Sequence, residues 1–292
     1  MKNIHISILP FLFLILVNFS ASAQQEPLYT LYRYNTNFFN PAAFGLNERM
    51  EFRSNFRNQF SGIEQAPETL GLYFGVPIND RIGIGATVVS DKVFIESTTS
   101  LFASFAYGVQ LDRWTWLHFG VQAGGTFVNI DFNSLDQAID PVFAQNVNDF
   151  NPNVGAGVYL KGMDYFVSLS SPRILASDRI DDESGVLTVA RSRPQFYLSG
   201  GYHFAISDNV VFTPSTLLRF SNEETITDVT VAFKILNTIE VGANYRVNRA
   251  FGGLLYLTVQ EWLEIGYAYE TNSGAINVSE EGTHEIGATL KF

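Results

Sequence analysis

The sequence predicts an all-β protein, a transmembrane antiparallel up-and-down β-barrel of about 14 strands with short periplasmic turns and long extracellular loops. Three observations predict this fold. Apolar and polar residues alternate in successive stretches along most of the chain. The connections between these stretches are mostly short and long by turns, and aromatic residues cluster near the ends of the stretches. Successive side chains of a strand point to opposite faces, so alternation gives each strand one apolar face. A soluble β protein would show the same alternation, and the connections and aromatic residues separate the two folds.

The composition fits one β-barrel and excludes several other classes of protein. The chain has 292 residues, a formal net charge of -11 and no cysteine. A single barrel of this length is ordinary, so no second domain is required. Without cysteine the chain forms no disulfide and carries out no thiolate chemistry. A nucleic-acid partner is not expected, because phosphate binding needs concentrated Lys and Arg.

Residues 1–23 have the features of a signal peptide. Lys2 supplies the positive charge, residues 6–17 form the apolar region, and Ala21-Ser22-Ala23 is the small-residue cleavage pattern. The predicted mature chain begins at Gln24. No later apolar run approaches the roughly 18 residues that a spanning helix requires. We therefore expect an exported protein of the cell outer membrane, in contact with its lipid bilayer.

Residues 24–47 are predicted to form a periplasmic amino-terminal lead-in segment. Their density of Pro, Gly and Asn breaks regular structure, and the tyrosines and the Asn-Pro turn suit an anchored segment. Two interpretations fit equally well: contact with a partner protein, and packing as an inner plug or turn cover. The candidate partner-contact residues are Tyr29, Tyr32, Tyr34, Asn35, Asn37, Asn40 and Pro41.

Residues 48–292 are predicted to form the outer-membrane β-barrel. Bacterial single-chain barrels have an even number of strands, which the count of about 14 satisfies. In the last strand, Ile286, Ala288, Leu290 and Phe292 would face the lipid. The apolar sets of the predicted strands lie at positions 50–56, 70–76, 82–88, 101–109, 119–127, 154–160, 165–169, 196–204, 212–220, 229–235, 239–245, 255–259, 263–269 and 286–292.

The connections and the aromatic residues favour a membrane barrel over a soluble one. Membrane barrels have short turns on the periplasmic side, long loops outside, and aromatic girdles at both interfaces. The predicted short turns are 77–81, 112–113, 161–164, 205–209, 236–238 and 260–261. The predicted longer loops are 58–68, 90–100, 129–151, 170–193, 221–225 and 271–282, and 248–250 is the one brief connection on that side. The outer girdle includes Phe56, Phe127, Phe196, Phe220, Tyr245 and Tyr269, and the inner girdle includes Phe204, Phe212, Phe233 and Phe292.

Charged residues of both signs are predicted to face the lumen. Isolated charges in apolar surroundings are costly, so these residues should pair across the lumen or be hydrated. A largely occluded lumen of paired charges is favoured over an open pore, because an ion-selective pore would more naturally carry one sign. The predicted inward charges are Glu51, Arg53, Arg57, Arg219, Asp228, Lys234, Glu240, Arg246 and Glu270.

The sequence predicts no catalytic, cofactor-binding or metal site, and we do not expect an enzyme. Three histidines, His118, His203 and His284, follow the signal peptide, and their positions do not form one constellation. The acidic residues of 178–183 lack the ordered spacing of a calcium loop, so a solvated loop is the favoured interpretation.

Several short motifs follow one another in a distinctive order along the chain. They are Tyr34-Asn35-Thr36-Asn37, Asn40-Pro41-Ala42, Arg57-Asn58-Gln59-Phe60-Ser61-Gly62-Ile63, Ala66-Pro67-Glu68-Thr69, Pro152-Asn153-Val154-Gly155 and Gly282-Thr283-His284-Glu285-Ile286. In this order they resemble the PorP/SprF family of the type IX secretion system and gliding machinery. Two positions depart from the family pattern: Phe60, where Trp is usual, and Gln65, where Gly is usual.

The resemblance implies an outer-membrane component that supports secretion or surface anchoring of adhesins. It further implies periplasmic motor or ring proteins of the type IX secretion system, and a secreted surface adhesin, as partners. The alternative is a passive porin-like channel for small or hydrophobic solutes, which the barrel alone would support.

Overall fold

In the part of the chain that the structure describes, the fold is a closed antiparallel β-barrel of 14 wall strands with almost no helix, as the alternation predicts. The computed structural model describes residues 28–44, 49–132, 146–178, 191–221, 224–272 and 282–292. The predicted signal peptide lies outside the described residues. Within these ranges no helix has the length and apolar character to cross a membrane.

Seventeen strand segments lie within these described ranges. They are β1 Glu51–Asn58, β2 Glu68–Asn79, β3 Ile82–Val93, β4 Glu96–Gln110, β5 Trp116–Ile130, β6 Val147–Lys161, β7 Tyr165–Ser171, β8 Ser177–Asp178, β9 Arg191–Ser192, β10 Phe196–Tyr202, β11 Phe204–Ser207, β12 Val210–Phe220, β13 Thr225–Ile235, β14 Ile239–Arg246, β15 Ala250–Gln260, β16 Leu263–Asn272 and β17 Thr283–Lys291. Segments β10 and β11 form one wall strand interrupted at His203, whereas β8 and β9 pair only with each other.

The wall closes on itself through two sets of pairings. Strand β1 pairs with both β2 and β17, and β10 pairs with both β7 and β12. The register across the β1–β17 seam runs without interruption from Glu51 opposite Lys291 to Asn58 opposite His284. Closure removes the sheet edges, so the backbone groups at membrane depth find partners within the wall.

The side chains alternate between lipid and lumen as predicted. In β17, Ile286 is 52% exposed on the outer face, whereas Glu285 is 1% exposed on the inner face. Large apolar residues on the other strands, such as Val231, Leu255 and Phe105, are also exposed outward. This apolar outer surface is what a lipid bilayer requires of a barrel wall.

One predicted loop differs from the structure. Residues 90–100 were expected to form a long loop, but β3 continues to Val93 and β4 begins at Glu96, which leaves a two-residue turn. The reason is that apolar alternation stops where the lipid-facing surface ends, while the hydrogen-bonded ladder continues. The polar extension contains Ser97, Thr98 and Thr99, and Thr has a high β propensity.

We predict that Val231→Arg destabilises the barrel by about 2–4 kcal/mol, because Val231 lies near the middle of β13 and faces the lipid. The matched control is Thr225→Arg, on the same face at the end of the same strand, where the expected loss is at most about 1 kcal/mol. Urea-induced unfolding from lipid vesicles measures both. Equal losses would contradict the assignment of this face to the bilayer.

Candidate functional site

The described part of the lead-in segment, residues 28–44, lies inside the barrel, and we call it the plug. It contains two short 3₁₀ turns, Thr36–Phe38 and Pro41–Ala43. The side chain of Asn40 caps the second turn by accepting a hydrogen bond from the Ala42 backbone N–H at 2.8 Å. A wall of this many strands encloses more space than its own inward side chains fill, and the plug occupies that space.

The plug contacts wall strands on all sides of the lumen. The Thr30 side chain forms a hydrogen bond with Glu270 of β16, and the Thr30 backbone N–H forms one with Glu285 of β17. The Tyr32 hydroxyl forms a hydrogen bond with Ser215 of β12. On other sides, the plug contacts these wall residues: Glu240 of β14, Asn55 of β1, Tyr73 of β2, and Ser168 and Ser170 of β7. Residues 28–44 therefore lie at the level of the wall strands and not below them in the periplasm.

A cluster of buried ion pairs lies beside Thr30. Arg57 donates to Glu270 at 3.1 Å and to Glu285 at 3.2 Å. Arg246 donates to the same Glu270 at 2.7 Å and to Asp228 at 3.0 Å. All five side chains are 4% exposed or less. Each buried charge in the cluster thus has an opposite charge in contact, as burial demands.

The plug takes part in this cluster. Glu285 accepts hydrogen bonds from the backbone N–H of Thr30 at 2.7 Å and of Leu31 at 3.3 Å. The Thr30 hydroxyl donates to Glu270 at 2.7 Å and accepts from Arg57 at 3.2 Å. Hydrogen bonds to charged groups are stronger than neutral ones, so the wall holds this end of the plug firmly.

At least seven of the nine predicted inward charges have an ionic partner, and two further residues take part in these pairs. Arg57, Asp228, Arg246 and Glu270 form the cluster above, and Arg53 pairs with Glu51 at 3.0 Å. The sequence did not predict the contact of Arg33, a plug residue whose side chain pairs with Glu240 of the wall at 2.6 Å. It also did not predict the ion pair of Glu285 with Arg57. Glu285 lies an even number of positions from Thr283 and Thr289 in the last strand, so all three share its polar face. This alternation could have predicted the inward position of Glu285.

The candidate partner-contact tyrosines pack within the barrel. The Tyr32 hydroxyl lies 3.0 Å from the Ser215 hydroxyl. The Tyr34 ring stacks on Tyr256 with centroids 3.6 Å apart, and Tyr29 belongs to a buried aromatic cluster. That cluster consists of Tyr29, Tyr32, Phe39, Tyr197 and Leu217.

The candidate asparagines and the proline pack in the same way. Asn35 donates to the Asn55 side chain at 2.8 Å, and Asn37 donates to the Ala43 carbonyl at 3.2 Å. Asn40 donates to the Ser168 hydroxyl at 2.7 Å, and Pro41 is buried as the first residue of its turn. This arrangement is the plug interpretation of the segment. Partner contact through these seven residues stays a prediction.

Glycines on the inner wall allow the plug backbone to approach closely. A Cβ atom built on Gly120 would lie 2.1 Å from the Ala42 backbone nitrogen, and one on Gly157 would lie 2.1 Å from the Asn40 side-chain oxygen. Glycine in a strand often marks such a close approach of another backbone. The apolar packing of Phe44 against Tyr73, with centroids 4.8 Å apart, completes this side of the plug.

No catalytic or metal-binding arrangement is found in the part of the chain that the structure describes. No group of three or more His, Asp or Glu residues there could hold a metal ion. His203 contacts Thr213 and His284 contacts Tyr267, in different parts of the wall. The acidic residues Asp181, Asp182 and Glu183 lie outside the described residues.

Comparison with known proteins identifies both the family and the fold. A family model described as "Type IX secretion system membrane protein PorP/SprF" matches residues 21–290. No curated protein matches the chain. Among solved structures, the outer membrane protein Omp33 of Acinetobacter baumannii is similar, with a TM-score of 0.51 and 9% identity, over 85% of this chain and 100% of that one. A structure titled "CymD monoaromatic hydrocarbon channel" has a TM-score of 0.50 and 11% identity, over 87% and 92%. At these identities the structures show the fold alone.

We predict that Gly120→Val lowers the free energy of unfolding by at least about 1–3 kcal/mol, because the new side chain would overlap the plug backbone at Ala42. The control is Gly253→Val on the lipid side of β15, where the nearest atom to an added Cβ is 3.9 Å away. Equilibrium unfolding measures both variants. A tolerated Gly120→Val would contradict the close packing of the plug.

A second prediction concerns the ion cluster. Arg57→Met should destabilise the barrel by about 3–5 kcal/mol, since it leaves Glu285 buried opposite no cation within the cluster. Arg49→Met is the control, because Arg49 and Glu261 form an exposed pair at 3.4 Å, whose loss should cost at most about 1 kcal/mol. Denaturant midpoints that shift equally for the two variants would refute a structural role for the cluster.

Proposed function

The chain belongs to the PorP/SprF family of type IX secretion system membrane proteins, and we propose that it supports the secretion or surface anchoring of adhesins while contacting periplasmic motor or ring proteins. Its fold and location as an outer-membrane β-barrel are the basis of this proposal. In the proposed role the protein carries out no catalysis. It acts as a membrane-embedded component between machinery on one side and a secreted adhesin on the other.

The observation that carries the proposal is the occupied lumen. A passive channel needs a continuous passage, whereas the plug is buried and bonded to wall strands around the barrel. Tyr32 and Phe44, two of its largest side chains, are 1% and 0% exposed. A barrel filled in this way is better suited to presenting its two rims to other proteins than to conducting solutes.

The rims have surfaces that suit such contacts. On the periplasmic side, Trp114, Met163 and Trp262 are each more than half exposed, in turns of the short type. Exposed aromatic residues are often central to protein interfaces. With the described plug residues inside the barrel, these turns are the proposed contact region for periplasmic proteins, and the long loops are the proposed contact region for the adhesin.

The channel alternative has one observation in its favour, which is the likeness of the fold to a structure whose title names a hydrocarbon channel. At 11% identity this likeness concerns the fold alone. The two candidate functions differ in measurable ways. A channel conducts or admits solutes without partners, and a secretion component requires partners and need not conduct.

We predict that the affinity-tagged protein, purified from outer membranes after mild crosslinking, carries periplasmic type IX secretion proteins with it. A strain lacking the protein should lose an adhesin from its surface and regain it on re-expression. The control bait is an unrelated outer-membrane barrel with the same tag. Unchanged surface adhesin in the deletion strain, together with no captured periplasmic protein, would refute the proposal.

Planar-bilayer recordings of the same purified protein test the channel alternative. The buried plug leads us to expect no steady large conductance. A steady large conductance from the wild-type protein would support the channel and would overturn the occluded lumen.

A further inference from the structure

We infer that Glu285, Arg57 and Glu270 form a latch that holds the amino-terminal end of the plug on the extracellular side of the lumen, so that the plug is released from that side. The inference rests on the orientation of the barrel and on the contacts of the plug. It does not depend on the proposed role in secretion.

The latch residues all lie toward the extracellular ends of their strands. Short periplasmic turns place the start of β1 and the end of β17 on the periplasmic side. Arg57 is the penultimate residue of β1, which runs outward. Glu270 lies two residues before the end of β16, and Glu285 is the third residue of the inward-running β17. Thr30, which contacts all three, is therefore near the extracellular end of the lumen.

The two ends of the plug are held in different ways. Phe44 packs on Tyr73, Ala42 fits against Gly120, and the chain continues from there into β1. This end is thus tied covalently to the periplasmic end of the wall. Thr30 and Leu31, at the other end, are held through charged hydrogen bonds to wall carboxylates.

A single carboxylate receives both backbone bonds of the latched end. Glu285 accepts from Thr30 N–H through one oxygen and from Leu31 N–H through the other. Thr30 and Leu31 are each 1% exposed, whereas the preceding Leu28 is only half-buried. Weakening the bonds to Glu285 therefore frees the end of the plug that lies nearest the extracellular opening.

The absence of cysteine from the chain allows a direct test, because Leu28→Cys introduces one unique thiol. A small membrane-impermeant thiol reagent applied to intact cells should label this thiol from outside. Adding Glu285→Gln should raise the labelling rate about tenfold, the equivalent of losing roughly one charge-assisted hydrogen bond. Arg57 keeps Glu270 as its ionic partner in this variant, so the wall is expected to remain folded.

The matched control is Leu28→Cys with Glu224→Gln, which weakens an ion pair between Glu224 and Arg249 at the same end of the wall. Its labelling rate should equal that of Leu28→Cys alone. Thr30→Val provides a second variant that leaves every wall charge in place, and it should also accelerate labelling, because it removes the hydroxyl contacts to Glu270 and Arg57.

Three results would overturn the inference. The first is labelling of Leu28→Cys only after the outer membrane is permeabilised, which would place this end on the periplasmic side. The second is a Leu28→Cys thiol that reacts only after denaturation. In this result, neither intact nor permeabilised cells show labelling, even when Glu285→Gln or Thr30→Val is added. The third is the same labelling rate for the Glu285, Thr30 and Glu224 variants. The adhesin and capture assays above are independent of this outcome, so failure of the latch and failure of the secretion role are distinguishable.

Discussion

The paired charges around Arg57 are the interaction on which the interior of this barrel depends. Two arginines and three carboxylates from five wall strands meet there with almost no exposure to solvent. Buried charges destabilise a fold unless each has a partner and further hydrogen bonds. The plug supplies some of these bonds through Thr30 and Leu31, and Arg33 extends the same principle to Glu240. The wall and the plug therefore stabilise one another.

The need to give each inward polar group a partner explains why a segment of the chain fills the lumen. A closed wall of 14 strands must keep polar residues inside, because its outer face is committed to lipid. Side chains alone fill the interior of a barrel of about eight strands, but not of a wider one. A segment with small turns, aromatic rings and asparagine side chains fits the remaining space, and Gly120 and Gly157 make room for its backbone. The outcome is a barrel that presents two rims and has the plug inside its lumen, and the proposed role draws on this arrangement.

Local sequence patterns predicted the strands of the wall but not the length of every connection. The strands, their lipid-facing residues and the inward charges followed from a period of two, which is a local property. The predicted length of the loop at 90–100 was wrong, because polar residues continue the hydrogen-bonded ladder beyond the lipid-facing surface. Gln65, where the resemblance to the family implies Gly, adopts a φ of 59°, the left-handed region that favours Gly. The departure seen in the sequence thus coincides with a backbone constraint that the structure reveals.

The sequence by itself determined the architecture: alternation, turn lengths and aromatic positions specify a membrane barrel, since each depends on near neighbours in the chain. It also predicted the inward position of Arg57, Asp228, Arg246 and Glu270, although not that of Glu285. Only the tertiary structure decided where residues 28–44 lie and which charges meet. Thr30 and Glu285 are 255 positions apart, and no periodicity within either segment encodes their contact. Their proximity exists only because closure brings β1, β16 and β17 together around a lumen that has to be filled.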